Sequence, residues 1–131
     1  MIDAESITLR GRAAAEALMR DTCVVERSLG EVTDPATGVV SDVWETVYSG
    51  KCKVQGRTAV AVEPVSAGHR FTVEQLMVHL PVSAQSQLDD RVTIAEAVMD
   101  PDLVGLQLRL TELARGSYRT ADRWNVEAVT G

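Results

Sequence analysis

The stretch LQLRLTELARGSYRTADRWNVEAV, Leu106 to Val129, decides the fold. Leu106, Leu108 and Leu110 alternate with Gln107, Arg109 and Thr111. Beyond Arg115-Gly116-Ser117, Trp124, Val126 and Ala128 alternate with Arg123, Asn125 and Glu127. A period of two places successive side chains on opposite faces, so each half reads as a strand buried on one side. Two such strands joined across a Gly predict a hairpin that closes a sheet.

Other segments share that period. In LDDRVTIAEA, Leu88 to Ala97, a turn at Asp89-Asp90 is followed by Val92 and Ile94 pointing inward. HRFTVEQLMVHLP, His69 to Pro81, changes phase: Phe71 and Val73 share one face, whereas Leu76, Val78 and Leu80 share the other. That change predicts a β-bulge near Glu74 or Gln75. GKCKVQ turns Cys52 and Val54 to one side and Lys51, Lys53 and Gln55 to the other. TCVVERSL and VWETVYS, rich in β-branched residues, read as strands around EVTDPATGVVSD, where Asp34-Pro35 and Gly38 mark a turn or a longer hairpin connection. VMDPDLVG, Val98 to Gly105, reads as a loop.

The chain opens with DAESITLRGRAAAEALMR, in which Asp3 is a candidate N-cap and the composition favours helix as far as Arg20. Its apolar face is thin, with Ile7, Gly11, Ala14 and Leu18 on one side. Two readings stay open: a helix lying on its own domain, or one that docks on another subunit. The expected fold is mainly β, a small antiparallel barrel or sandwich of about seven strands with an N-terminal α-helix. One domain spans residues 1–131, with the helix over 3–20 and the barrel over 21–131. Within it, GRTAVAVEPVSAG, residues 56–68, carries small side chains and Pro64, and reads as a long flexible loop. A functional loop, an irregular strand and plain disorder are the alternatives there.

Nineteen acids against thirteen bases leave a formal charge of −6. Such a chain gains little from counterion release on nucleic acid, so tight DNA or RNA binding is not expected. The N-terminus lacks an apolar leader, and no window approaches the ~20 apolar residues of a membrane span, which predicts a cytoplasm-like setting and no membrane partner. Cys23 and Cys52 have no ligand-like His nearby, so reduced, partly buried thiols are expected. A disulfide requires their strands to be neighbours.

The chemical inventory is poor. His69 and His79 have no nucleophile or metal partner at motif spacing. Asp89/Asp90 and Asp100/Asp102 sit where turns favour Asp and lack the oxygen-rich spacing of a calcium loop. Gly50-Lys51 has no glycine-rich run before it. No catalytic residue, cofactor or metal is expected, and the chain reads as a non-enzyme.

The order of pieces carries a resemblance: EALMRDTCVVER after the helix, Asp-Pro-x-Thr-Gly at Asp34 to Gly38, VYSGKCKVQ at Val47 to Gln55, LDDRVTI at Leu88 to Ile94, DPDLVG at Asp100 to Gly105, and RGSYRTADRWNVE at the end. Together they resemble the small head-to-tail connector proteins of tailed bacteriophages, in particular the head-closure or stopper proteins of actinobacteriophages. The resemblance covers nearly the whole chain, although each piece alone is widespread.

That resemblance implies a β-barrel-like subunit forming a homo-oligomeric ring, six- or twelve-fold, in the neck of the virion, assembled in the host bacterial cytoplasm. The portal and its adaptor would lie above it, and the tail terminator or tail tube below. Packaged DNA would pass through the channel without sequence-specific binding, and an acidic chain suits that passage. The expected lumen or gating loop comprises Gly56, Arg57, Glu63, Pro64, Gly68 and His69. Expected subunit or partner contacts are Arg10, Arg12, Arg115, Arg119 and Arg123 against the acids Asp89, Asp90, Asp100 and Asp102. Alternative readings are another neck or tail ring component, such as a tail terminator or adaptor, and a monomeric β-barrel that binds a small ligand or peptide.

Overall fold

A computed structural model describes residues 3–60 and 72–129, with the backbone alone considered at 57–60 and 72–74. The elements run α1 (Ala4–Ala17), β1 (Asp21–Thr33), β2 (Val40–Val60), β3 (Thr72–Leu80), β4 (Arg91–Glu96), β5 (Gln107–Leu113) and β6 (Asp122–Ala128). Six antiparallel strands close a barrel in the order β1-β2-β3-β6-β5-β4. The fold is mainly β, as the alternation predicts.

Among the described residues there are six strands where about seven are expected, because VWETVYS and GKCKVQ form one continuous strand through Gly50. Gly50 pairs with Cys23 across the ladder. A Cβ there would lie 2.8 Å from the Tyr48 hydroxyl, which folds back to donate to the Lys51 carbonyl. The glycine therefore admits a side chain over the strand and does not end it.

Two further expectations are corrected. Residues 56–60 of the expected loop are strand: β2 continues to Val60, so Gly56 and Arg57 are paired with Leu76 and Gln75 of β3, and residues 61–68 lie outside the described residues. The bulge expected near Glu74 or Gln75 is absent, since the β2–β3 register is unbroken from Lys53↔His79 to Val60↔Thr72. Only Met77–His79 of β3 pair with strands on both sides, and there Val78 is fully buried. A change of phase is needed only where both neighbours constrain the strand. The bulges fall elsewhere, at Val25/Glu26 and Ser28/Gly30 of β1 and at Leu110/Glu112 against β6.

The core holds Cys23, Val25, Cys52, Val78, Leu80, Ala84, Val92, Ile94, Leu108, Leu110 and Trp124. Leu108, Leu110 and Trp124 come from the hairpin read first, while Ala128 at its end is exposed. The Trp124 indole N–H donates to Ser86 Oγ at 2.8 Å, and Ser86 reaches the buried Asp122, which Arg119 neutralises. Trp124, Ser86 and Asp122 thus satisfy one another along this relay, which keeps their burial inexpensive.

Asp3 caps α1 by accepting from the Ser6 amide at 2.7 Å. The helix lies on its own barrel, but on a different face from the one expected. Gly11, Arg12, Ala15 and Glu16 are half-buried, whereas Ile7, Ala14 and Leu18 are exposed. The contacts decide this: Arg12 Nε donates to the Arg119 carbonyl, Glu16 pairs with Lys51, and Gly11 sits so close to Thr120 that a Cβ would meet its methyl at 2.6 Å. No residue of α1 is fully buried.

G11A therefore sets helix propensity against docking. Alanine favours an isolated helix by ~1 kcal/mol, yet here we expect a net loss of stability in chemical denaturation. T120S, which removes the opposing methyl, should recover most of that loss; an unchanged or raised stability in G11A alone would contradict the close packing.

Candidate assembly surface

β1 has neighbours on both sides only from Thr22 to Glu26, where it pairs with both β2 and β4. From Arg27 onward β4 is gone and β1 continues with β2 alone. The two strands leave the barrel as a ribbon, about 20 Å long at ~3.3 Å per residue. Every residue from Ser28 to Asp42 is exposed, including Leu29, Val32, Val39 and Val40.

The ribbon's turn is built by the Asp-Pro-x-Thr-Gly motif. The Asp34 side chain accepts from the Ala36 amide, its carbonyl accepts from the Gly38 amide at 2.7 Å, and its own amide donates to the Val39 carbonyl. Gly38 adopts φ +74, where a side chain is unfavourable. Gly30, at φ +110, accommodates the bulge near the ribbon's base.

A collar of charges marks the fork. Arg27 donates from Nε and Nη2 to the two oxygens of Asp90, both at 2.9 Å, and also reaches the Gln85 carbonyl. Asp90 is 1% exposed and also accepts from the Gln87 amide. Beside this pair, Arg91 approaches Glu26 at 3.5 Å and stacks over Trp44, 3.8 Å from the ring centre. The dipeptides Glu26-Arg27 and Asp90-Arg91 run antiparallel, so each charge faces its opposite. The Asp90 pairing raises the Arg27 guanidinium above its ordinary pKa.

These positions revise the expected contact residues. Asp90 is a buried clamp, not an exposed acid. Asp89 is exposed, but its carboxylate is paired with Arg109, which also holds Glu127. Arg119 is committed to Asp122, and Arg12 to the Arg119 carbonyl. Asp100 caps a short turn through the Asp102 amide, and both acids are exposed. Arg10 and Arg115 are exposed. Glu63, Pro64, Gly68 and His69 lie outside the described residues. Arg27, Arg91 and Trp44 were not singled out from sequence; the reversed charge order of Glu26-Arg27 and Asp90-Arg91 was the available signal, useful only once β1 and β4 are known to be neighbours.

Farther along β2, at Lys53 and Gln55, a groove of about 350 Å³ opens between the end of α1 and strands β2, β3 and β6. Leu18, Met19 and Met77 supply apolar walls, and Lys53, His79 and Arg123 supply polar ones. Burial pushes the His79 imidazole down to about 4, with Arg123 and Lys53 adding to the shift. Cys23 and Cys52 are free and buried, on one face of adjacent strands. Hydrogen bonding to Cys23, with burial, pushes the Cys52 thiol up, away from nucleophilic thiolate. Burial likewise raises the Tyr48 hydroxyl to about 12. Among the described residues there is no cluster of three metal-ligating side chains, and no helix long and apolar enough to cross a membrane.

Fold and surface together define a small closed β-barrel that presents a two-stranded arm. The chain belongs to a family described as a family of unknown function, DUF6093, whose match covers residues 11–127. No curated protein matches the sequence.

R27M strands a buried carboxylate and should destabilise the protein by ~3 kcal/mol. D90N should cost less, ~2 kcal/mol, because Arg27 is 30% exposed and turns to water. Urea unfolding of both and of R27M/D90L checks this, with the double variant losing less than the sum; additive losses would contradict a coupled clamp. For His79, the folded state stays neutral down to about pH 4, whereas the unfolded chain takes its proton near the ordinary 6.5. Stability should therefore fall as pH drops from 6.5 to 4, by at most ~1.4 kcal/mol per pH unit. H79Q should flatten that slope, and an unchanged slope would contradict the assignment.

Proposed function

We propose that this protein is a non-catalytic structural subunit of the neck of a tailed bacteriophage, a head-closure or stopper protein that forms a ring below the portal and adaptor. In that place it retains packaged DNA and offers a docking surface to the tail. The placement in a phage rests on the sequence resemblance, which runs from the N-terminal helix to the final hairpin.

One observation carries the assembly role: the arm from Ser28 to Asp42. A lone two-stranded hairpin is marginally stable in water, and here exposed Leu29, Val32, Val39 and Val40 add apolar surface that nothing in the described residues covers. Such an element is explained by a neighbour that covers it. The charge of −6 supports the second part of the role, since a ring of acidic subunits does not grip the duplex it surrounds.

Light-scattering size determination of the purified protein, alone and with portal–adaptor complexes from the same source, tests this. Recruitment of a discrete ring with a fixed copy number is the expected result. Failure to bind those complexes at any salt concentration, with α1 intact, would overturn it in favour of a monomeric ligand-binding barrel.

A further inference from the structure

The arm carries an unfavourable pairing. Glu31 stands directly opposite Asp42 in the β1–β2 register, and like charges so placed destabilise a sheet. No Lys or Arg occurs between Ser28 and Val43 to relieve them, and the adjacent Arg27 is held by Asp90. Strand alternation puts Thr33 and Val40 on the same face as Glu31 and Asp42. That face is thus acidic, with a valine near its tip.

The groove beside Lys53 and Gln55 of β2 has the opposite character. Lys53 and Arg123 flank it without a carboxylate partner among the described residues, Arg123 reaching only the Thr120 hydroxyl. Leu18, Met19 and Met77 provide apolar walls beside them. Arm and groove cannot meet within one chain, because Val43 and Lys53 are separated by about 33 Å of continuous strand at ~3.3 Å per residue. An element and its complement set well apart along one strand join copies head to tail.

We propose that the groove bounded by Leu18, Lys53, Met77 and Arg123 receives the arm of a second copy of this chain, with Glu31 and Asp42 meeting Lys53 and Arg123 while Val40 enters between Leu18 and Met77. The contact is heterologous: each copy gives its arm to one neighbour and its groove to the other. Closure of the series into a ring rests on the neck reading above, whereas the contact itself does not. Being ionic at its rim, it weakens as salt rises.

The test is oxidative cross-linking between two singly substituted full-length proteins, V39C at the arm tip and Q55C at the groove, both at exposed positions. Copper phenanthroline is the oxidant, and Met99, exposed and outside the groove, gives the control M99C. We expect the V39C–Q55C disulfide to form roughly tenfold or more faster than V39C–M99C, through the raised local concentration. E31K/D42K on the V39C copy should abolish that advantage, and K53E on the Q55C copy should restore it. Equal rates with the control, or indifference to E31K/D42K in a variant whose circular dichroism is unchanged, would overturn the contact. The two readings fail separately: a ring recruited to the portal without this cross-link removes the arm–groove contact alone, and a cross-link without any recruitment removes the neck assignment alone.

Discussion

The structure depends on what happens to β1 at Arg27. For five residues β1 is an inner stave of the barrel, hydrogen-bonded to β2 and β4; beyond them it is half of a free ribbon. The Arg27–Asp90 pair stands at that change, tying the last residue over the barrel to the start of β4. Asp90 is buried because this carboxylate accepts three hydrogen bonds, two from Arg27 and one from the Gln87 amide. Without the pair, the fork would have a buried charge at its apex and the ribbon a hinge at its base. With it, the arm leaves the barrel in a defined direction, which is what allows a thin, solvent-exposed element to present a surface.

The barrel itself is economical in large side chains. Among the described residues its buried core has one aromatic, Trp124, amid Val, Leu, Ile, Ala and two Cys, so closure relies on many small contacts and on satisfied polar groups. The chain Trp124–Ser86–Asp122–Arg119 shows how the second condition is met. The loop holding Arg119 also receives α1 through Arg12 and Gly11, so the helix is seated by the same segment that satisfies the core tryptophan. Seating through a glycine and polar contacts leaves Ile7 and Leu18 in solvent.

Much of the fold was legible in the sequence because alternation is a local signal. The hairpin from Leu106, the inward Val92 and Ile94, the Asp3 cap and the Asp34–Gly38 turn follow from residues close together in the chain. What was not legible depends on neighbours distant in sequence. Gly50 reads as a strand boundary until Tyr48 is seen folded over it. Asp90 reads as an exposed turn acid until Arg27, 63 positions away, reaches it. The helix face was misassigned because hydrophobicity favoured Ile7 and Leu18, whereas the fit of Gly11 against Thr120 decides the contact. The arm reads in sequence as a turn or a longer hairpin connection, since nothing local distinguishes a hairpin that lies on a sheet from one that leaves it.

Arm and groove, set apart along β2, make the proposal one of assembly, in which each subunit would hold a copy on either side. Electron cryomicroscopy of the protein mixed with portal–adaptor complexes from the same source tests this most directly. The account predicts a closed ring in which each arm crosses onto the β2–β3–β6 face of the adjacent barrel. Barrels bound singly, or a ring whose arms extend free into solvent, would contradict it.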